Sequence, residues 1–284
     1  MLGWRSAKFA LLALPLLAVV ASADYIENAA ESADSETAAI LMEAIVAKGF
    51  NPREWPAENP LASRISISEN GSLIGALRGL DALSLAGSFS NNHLDIIMGN
   101  FDGVQFGSPQ AINDDVWAIR ILRREGESPA AITAAAKFIL SHQQGGWGWS
   151  LDAQPDADMT GMAMEALAGL PDTEAPLQTA YDYLAGFWGE GIGQRPGDPP
   201  NCNSTVWAMR GSLAMGRNLD GWSFLESLGA GGGAYRYQTG GPVTLLCSAE
   251  VATLPTREVA TPSLSLVGAA ILLLAGAIIV RSQR

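Results

Sequence analysis

The chain has 284 residues and a formal net charge of −12, with 17 basic residues against 29 acidic ones. No basic stripe runs through it, which argues against nucleic acid as a partner, and the acidity discourages close contact with anionic lipid head groups. Two cysteines and two histidines, scattered along the chain, give no metal-ligand spacing and imply no cofactor.

Residues 1–23 read as a secretory leader. Arg5 and Lys8 supply its basic start, Phe9 to Val20 its apolar stretch, and Ala21-Ser22-Ala23 its small-residue cleavage site. After an N-terminal segment, 24–34, Ser35–Lys48 reads as a helix and Pro60–Ile67 as a short second one. A pattern then recurs. NDDVWAIRIL from Asn113, DMTGMAMEAL from Asp158 and NSTVWAMRGS from Asn203 follow one another at 45-residue steps, and a looser copy, NGSLIGALRGL, starts at Asn70. Self-similarity at a fixed period marks one supersecondary unit repeated, each copy covering its neighbour's apolar face.

Each unit reads as two helices and a glycine-rich turn. The first helix opens at the Asn or Asp, a residue type suited to capping free backbone N–H groups. The second helices fall at Asn92–Met98, Pro129–His142, Ala175–Trp188 and Asp220–Leu228. Glycine-rich turns follow at Asn100, Gln143, Trp188 and Leu228, with Trp147, Trp149 and Tyr235 as wedges between hairpins. Pro242–Ala252 supplies a last helix. The expected fold is therefore all-α, with six inner helices starting near 35, 70, 113, 158, 203 and 242 and about five outer ones. A ring fits better than an open stack, because the terminal repeats show no polar caps. The repeat domain spans 35–253 and a linker spans 254–263. Leu264 to Val280 is an uncharged apolar run at the short limit for a membrane-spanning helix, closed by Arg281 and Arg284 in the tail 281–284. These ends predict a single-pass membrane protein with its bulk outside the cell. A sorting tail removed during processing is the alternative.

Several positions recur on successive inner helices. Arg120, Glu165 and Arg210 share one, and read either as a charged belt tying hairpins together or as a polar ring on the wall of a ligand funnel. Trp117, Met162 and Trp207 share another, with Ile74 as the earlier equivalent, and read as core or as cavity wall. Asp115, Thr160 and Thr205 share a third, and complete the set of cavity candidates. Asn70-Gly71-Ser72 and Asn203-Ser204-Thr205 match the glycosylation sequon but double as helix starts. Cys202 and Cys247 lie on the oxidising side of the membrane, which favours pairing. Aligning Thr205 with Thr244 sets them about six residues apart in depth, roughly 9 Å of helical rise, which opposes it.

Gln143-Gln144-Gly145-Gly146-Trp147-Gly148 and the segment DADMTGMAMEALAG at 156–169 resemble motifs of the α/α-toroid superfamily of terpenoid cyclases and protein prenyltransferases. The resemblance covers roughly 35 to 253 and implies an α/α toroid. In that superfamily the same barrel serves squalene and hopene cyclases, prenyltransferase β-subunits, complement thioester domains and vitamin B12 carriers, so it says little about activity. The cyclases' acidic motif corresponds to Asp156-Ala157-Asp158-Met159-Thr160, with Met159 where a last aspartate belongs. Asp158 then reads as a helix cap or as an acid helped by Asp156 or Glu165. The prenyltransferase zinc set fails, because no histidine follows His142 and Cys202 lies beyond it. The thioester motif is absent around both cysteines, and a B12 carrier would need a β-rich domain that 253–263 cannot supply. Two functions remain. One is a non-catalytic binding module for an apolar small molecule or a surface protein. The other is an isoprenoid-acting enzyme of the terpenoid cyclase type using Asp158.

Overall fold

The computed structural model describes residues 25–67 and 73–255. The leader, the sequon at Asn70, the apolar run 264–280 and the tail lie outside them. Among the described residues no helix is long and apolar enough to cross a membrane.

The chain is mostly helical. Residues 25–31 form α1, followed by α2 (Ser35–Ala47), α3 (Leu61–Arg64), α4 (Leu73–Leu85), α5 (Asn91–Gly99), α6 (Ile112–Glu125) and α7 (Pro129–Ser141). Then come α8 (Ala157–Leu167), α9 (Glu174–Ala185), α10 (Cys202–Ala214), α11 (Trp222–Leu228), a small antiparallel hairpin of β1 (Gly229–Gly231) and β2 (Ala234–Tyr235), and α12 (Leu245–Thr253). The even-numbered helices from α2 onward are the ones expected near 35, 70, 113, 158, 203 and 242. They pack in sequence, α2 on α4, α4 on α6, α6 on α8, α8 on α10 and α10 on α12, and α12 packs back on α2. Helices α3, α7, α9 and α11 each lie against the even-numbered helix that precedes or adjoins them.

Hydrophobic burial drives this arrangement. The largest buried cluster joins α4 and α6 through α10, with Leu80, Ile119, Ile139, Trp147, Met164 and Leu184 wholly inside. Separate clusters form where α1 meets α2 and where α10, α11 and α12 converge. Helices α8 and α10 approach most closely, and glycine permits it. A Cβ on Gly161 would strike the Trp207 carbonyl, and one on Gly211 would lie 2.7 Å from the Gly161 carbonyl oxygen.

The helix caps differ from expectation. Asp156 caps α8 by accepting from the Met159 N–H (2.8 Å), and Asn201 caps α10 by accepting from the Ser204 N–H (3.0 Å). Asp158 and Asn203 sit two positions further on, inside the first turn. The sequences Asp-x-Asp and Asn-x-Asn offer two residues of the right chemistry, and the earlier one takes the cap. In α6 the cap position is Ala111, and Asn113 is buried with neither side-chain amide atom partnered. Trp149 is 51% exposed rather than wedged.

Cys202 and Cys247 form a disulfide, with Cα atoms 5.9 Å apart, tying α10 to α12. Thr244 is not the counterpart of Thr205 on α12, so the expected difference in depth does not hold. Thr205 Oγ1 accepts from the Ile192 N–H, and its counterpart on α12 is Ser248, whose Oγ accepts from the Tyr235 N–H. With Ser248 level with Thr205, Cys247 is level with Ser204. Only about 3 Å of rise then separates the two cysteines.

Candidate functional site

The repeat encodes a clasp. On four consecutive even-numbered helices a side-chain oxygen accepts the backbone N–H of a residue in the preceding turn: Asp115 from Phe106 (2.7 Å), Thr160 from Trp147 (3.0 Å), Thr205 from Ile192 (3.1 Å) and Ser248 from Tyr235 (2.8 Å). Each bond satisfies a donor that the turn would otherwise bury unpaired. Trp147 is further pinned by its indole N–H, which donates to the Ile139 carbonyl at 2.8 Å. Asp115, Thr160 and Thr205 thus hold turns and do not line the cavity described next.

Two residues beyond each clasp, the helices turn a side chain inward. Trp117, Met162, Trp207 and Glu250 occupy that position on α6, α8, α10 and α12, and together with Ile40 of α2 and Ile74 of α4 they wall a cavity of about 460 Å³. That volume falls within the range of small-molecule sites. Every even-numbered helix thus reaches the wall, five of these six side chains are apolar, and the rest of the lining includes the charged Glu36, Glu43, Arg78 and Asp81.

One turn further along lies a charged network. Arg210 reaches Glu43 of α2 (2.6 and 3.1 Å) and Glu165 of α8 (2.7 and 3.1 Å), and donates to Thr253 Oγ1 (3.1 Å). Arg120 stands 3.5 Å from Glu43 and 3.9 Å from both Asp81 and Glu165, while Arg124 binds Asp81 at 2.8 Å. Three guanidiniums and three carboxylates balance. Glu43 and Asp81 line the large cavity, whereas Arg120, Arg124 and Glu165 line a second recess of about 300 Å³, so the network stands between the two. The guanidiniums also cover the indoles: Arg120 lies 4.8 Å from the Trp117 ring centre and Arg210 4.5 Å from that of Trp207.

Burial and charge set the protonation states. Burial would raise Glu43, but Arg210 and Arg120 outweigh it and hold its carboxyl at about 2. Glu165 is lowered in the same way, against its burial, by Arg120 and Arg210. For Asp81 burial prevails over the two arginines and raises it. Burial pushes Asp115 up to about 8 and Asp156 up to about 6, each against a backbone N–H that bonds the charged form. Asp158 is also raised by burial, opposed by a bond from Ser204, and its Oδ1 has no partner. Neither Asp156 nor Asp158 lines the large cavity.

Of the residues singled out from the sequence, the cavity brings together Trp117, Met162 and Trp207, and the network brings together Arg120, Glu165 and Arg210. Glu43, Asp81, Arg124 and Glu250 went unnoticed. Among the described residues no group of three or more His, Cys, Asp or Glu could hold a metal ion. No family model matches the chain, and no curated protein matches it.

Proposed function

We propose that this chain is an α/α toroid tethered to the outer face of a membrane, and that it binds an apolar small molecule without chemically transforming it. The cyclic packing of six helices, four of them backed by a second helix, supports the toroid. The carrying observation for function is the cavity: all six even-numbered helices line it, with Ile40, Ile74, Trp117, Met162 and Trp207 as its large apolar wall, around a volume suited to a small ligand. Glu43 and Glu165 are bound to arginines and work as structure, and Asp158, which the enzyme alternative needs as its acid, lies away from the wall. The membrane tether rests on the apolar run 264–280 and the leader 1–23.

Incubation of the purified chain with a lipid extract and, separately, a corrinoid extract, followed by native mass spectrometry, tests the binding reading. Retention of an apolar species by the wild type, lost in Trp207→Ala, is the expected result. If neither pool leaves a retained mass, small-molecule binding is refuted and a surface protein becomes the partner to seek.

A further inference from the structure

Glu250 is the exception at its repeat position in the cavity wall. It takes the position that Trp117, Met162 and Trp207 hold on the preceding helices, yet it is a carboxyl group only 8% exposed. Its Oε1 accepts the Trp207 indole N–H at 2.9 Å, and its Oε2 is buried without a hydrogen-bond partner among the described residues. The charged and titratable groups around it are Asp158 of α8, Glu43 of α2, Arg210 of α10 and Tyr237 in the turn before α12. Arg210, the one cation among them, is engaged by Glu43 and Glu165. A carboxylate would be costly in that place, with acids beside it and a neutral indole as its only donor. A carboxylic acid fits, but it carries an O–H that needs an acceptor, and buried polar groups in folded proteins almost always find one. Ile40, Ile74, Trp117 and Met162 along the wall offer it none; Asp158 Oδ1, also buried and unpartnered, is one acceptor within the protein, and an oxygen on whatever fills the cavity is the other.

We propose that Glu250 is the polar anchor of this cavity: its carboxyl donates a hydrogen bond to a hydroxyl, carbonyl or ether oxygen on an uncharged, otherwise apolar ligand. This rests on the cavity being a ligand site, as proposed above, and adds what the ligand must carry. A cationic ligand is disfavoured because Arg78, Arg120 and Arg210 already lie over the Trp117 and Trp207 rings. An anionic one would face Glu43, Asp81 and Glu250 along the lining. Burial, reinforced by Asp158 and only partly opposed by Trp207 and Arg210, pushes Glu250 up to about 8, so it holds its proton at neutral pH.

Isothermal titration of the full chain in lipid nanodiscs, with empty nanodiscs subtracted, tests this using 2-octanone, n-octane, octylammonium and octanoate. At pH 6.5 the ketone should bind about five- to ten-fold more tightly than octane, the worth of one hydrogen bond, and both ions should bind more weakly than the ketone. That advantage should fade as pH rises past 8 in the wild type. It should persist at pH 9.5 in Glu250→Gln, whose amide keeps both the acceptor for Trp207 and a donor for the ligand, and vanish in Glu250→Leu. Equal binding of ketone and octane by the wild type, or a ketone preference that survives in Glu250→Leu, overturns the anchor while leaving the cavity as a ligand site. Failure of every probe to bind overturns the ligand site itself and the anchor with it.

Discussion

Arg210→Met isolates what the charged network contributes. The substitution keeps most of the side chain's length and removes five hydrogen bonds, two to Glu43, two to Glu165 and one to Thr253. Arg120 remains, but at 3.5 Å from Glu43 and 3.9 Å from Glu165 it cannot replace direct bidentate pairing. Breaking a buried pair while leaving its partner charged typically costs about 3–5 kcal/mol. The pH dependence gives an independent figure. Glu43 is held at about 2 against an ordinary 4.5, which corresponds to roughly 3 kcal/mol of stability. Because the folded-state value is depressed, that stability is fully present above about pH 5 and is lost as pH falls towards 2. In the variant, burial governs Glu43 and raises it, so the group protonates early and the penalty shrinks in acid. Urea titrations followed by tryptophan fluorescence should therefore show a loss of about 3–5 kcal/mol at pH 7 and a clearly smaller loss at pH 3.5. Adding Glu165→Gln should recover part of the pH 7 loss by removing an unpaired charge. A loss below about 1 kcal/mol at pH 7, or an equal loss at both pH values, would mean that Arg210 does not hold Glu43 and Glu165 charged in this way.

The disulfide closes a loop of 45 residues, so replacing both cysteines with serine should cost about 4 kcal/mol by loop entropy; thiol titration of the native chain that finds two reactive sulfhydryls would contradict the bond. Thr160→Val removes the clasp on the Trp147 backbone while keeping the side chain's shape, and should cost about 1–3 kcal/mol in the same urea assay. Gly161→Ala drives a methyl group into the Trp207 carbonyl on the neighbouring helix. A loss of about 1–3 kcal/mol or more is expected, and no change would mean that α8 and α10 are not packed this closely.

The helices were readable because the repeat is. Four copies of one pattern place α4, α6, α8 and α10 within three residues of where they lie, and the glycine-rich turns mark where each second helix must stop. Reading roles within the pattern was harder. An Asn or Asp two residues before a Thr suits a cap, but Asp156 and Asn201 have the same chemistry and come first. The clasp hydroxyls looked like cavity residues because their turns cannot be placed from sequence. Glu43 lies on α2, outside the four copies, and Asp81 just past the end of the looser copy at Asn70, and their partners are 167 and 43 residues away. Glu250 had a usable signal. Matching Ser248, rather than Thr244, with Thr205 puts it level with Trp207 and also brings Cys247 beside Cys202. Hydroxyl residues four apart cannot be told apart by type alone.

Ligand binding as proposed requires apolar molecules to enter the cavity walled by Trp117, Met162 and Trp207. Photolabelling of the full chain with a diazirine-bearing alkyl ketone, followed by peptide mass spectrometry, addresses it at residue level. The account predicts that label concentrates on peptides from α6, α8, α10 and α12 that contain those three residues and Glu250, and that excess unlabelled ketone displaces it. Label spread over the outer helices, or undiminished by competitor, would contradict it.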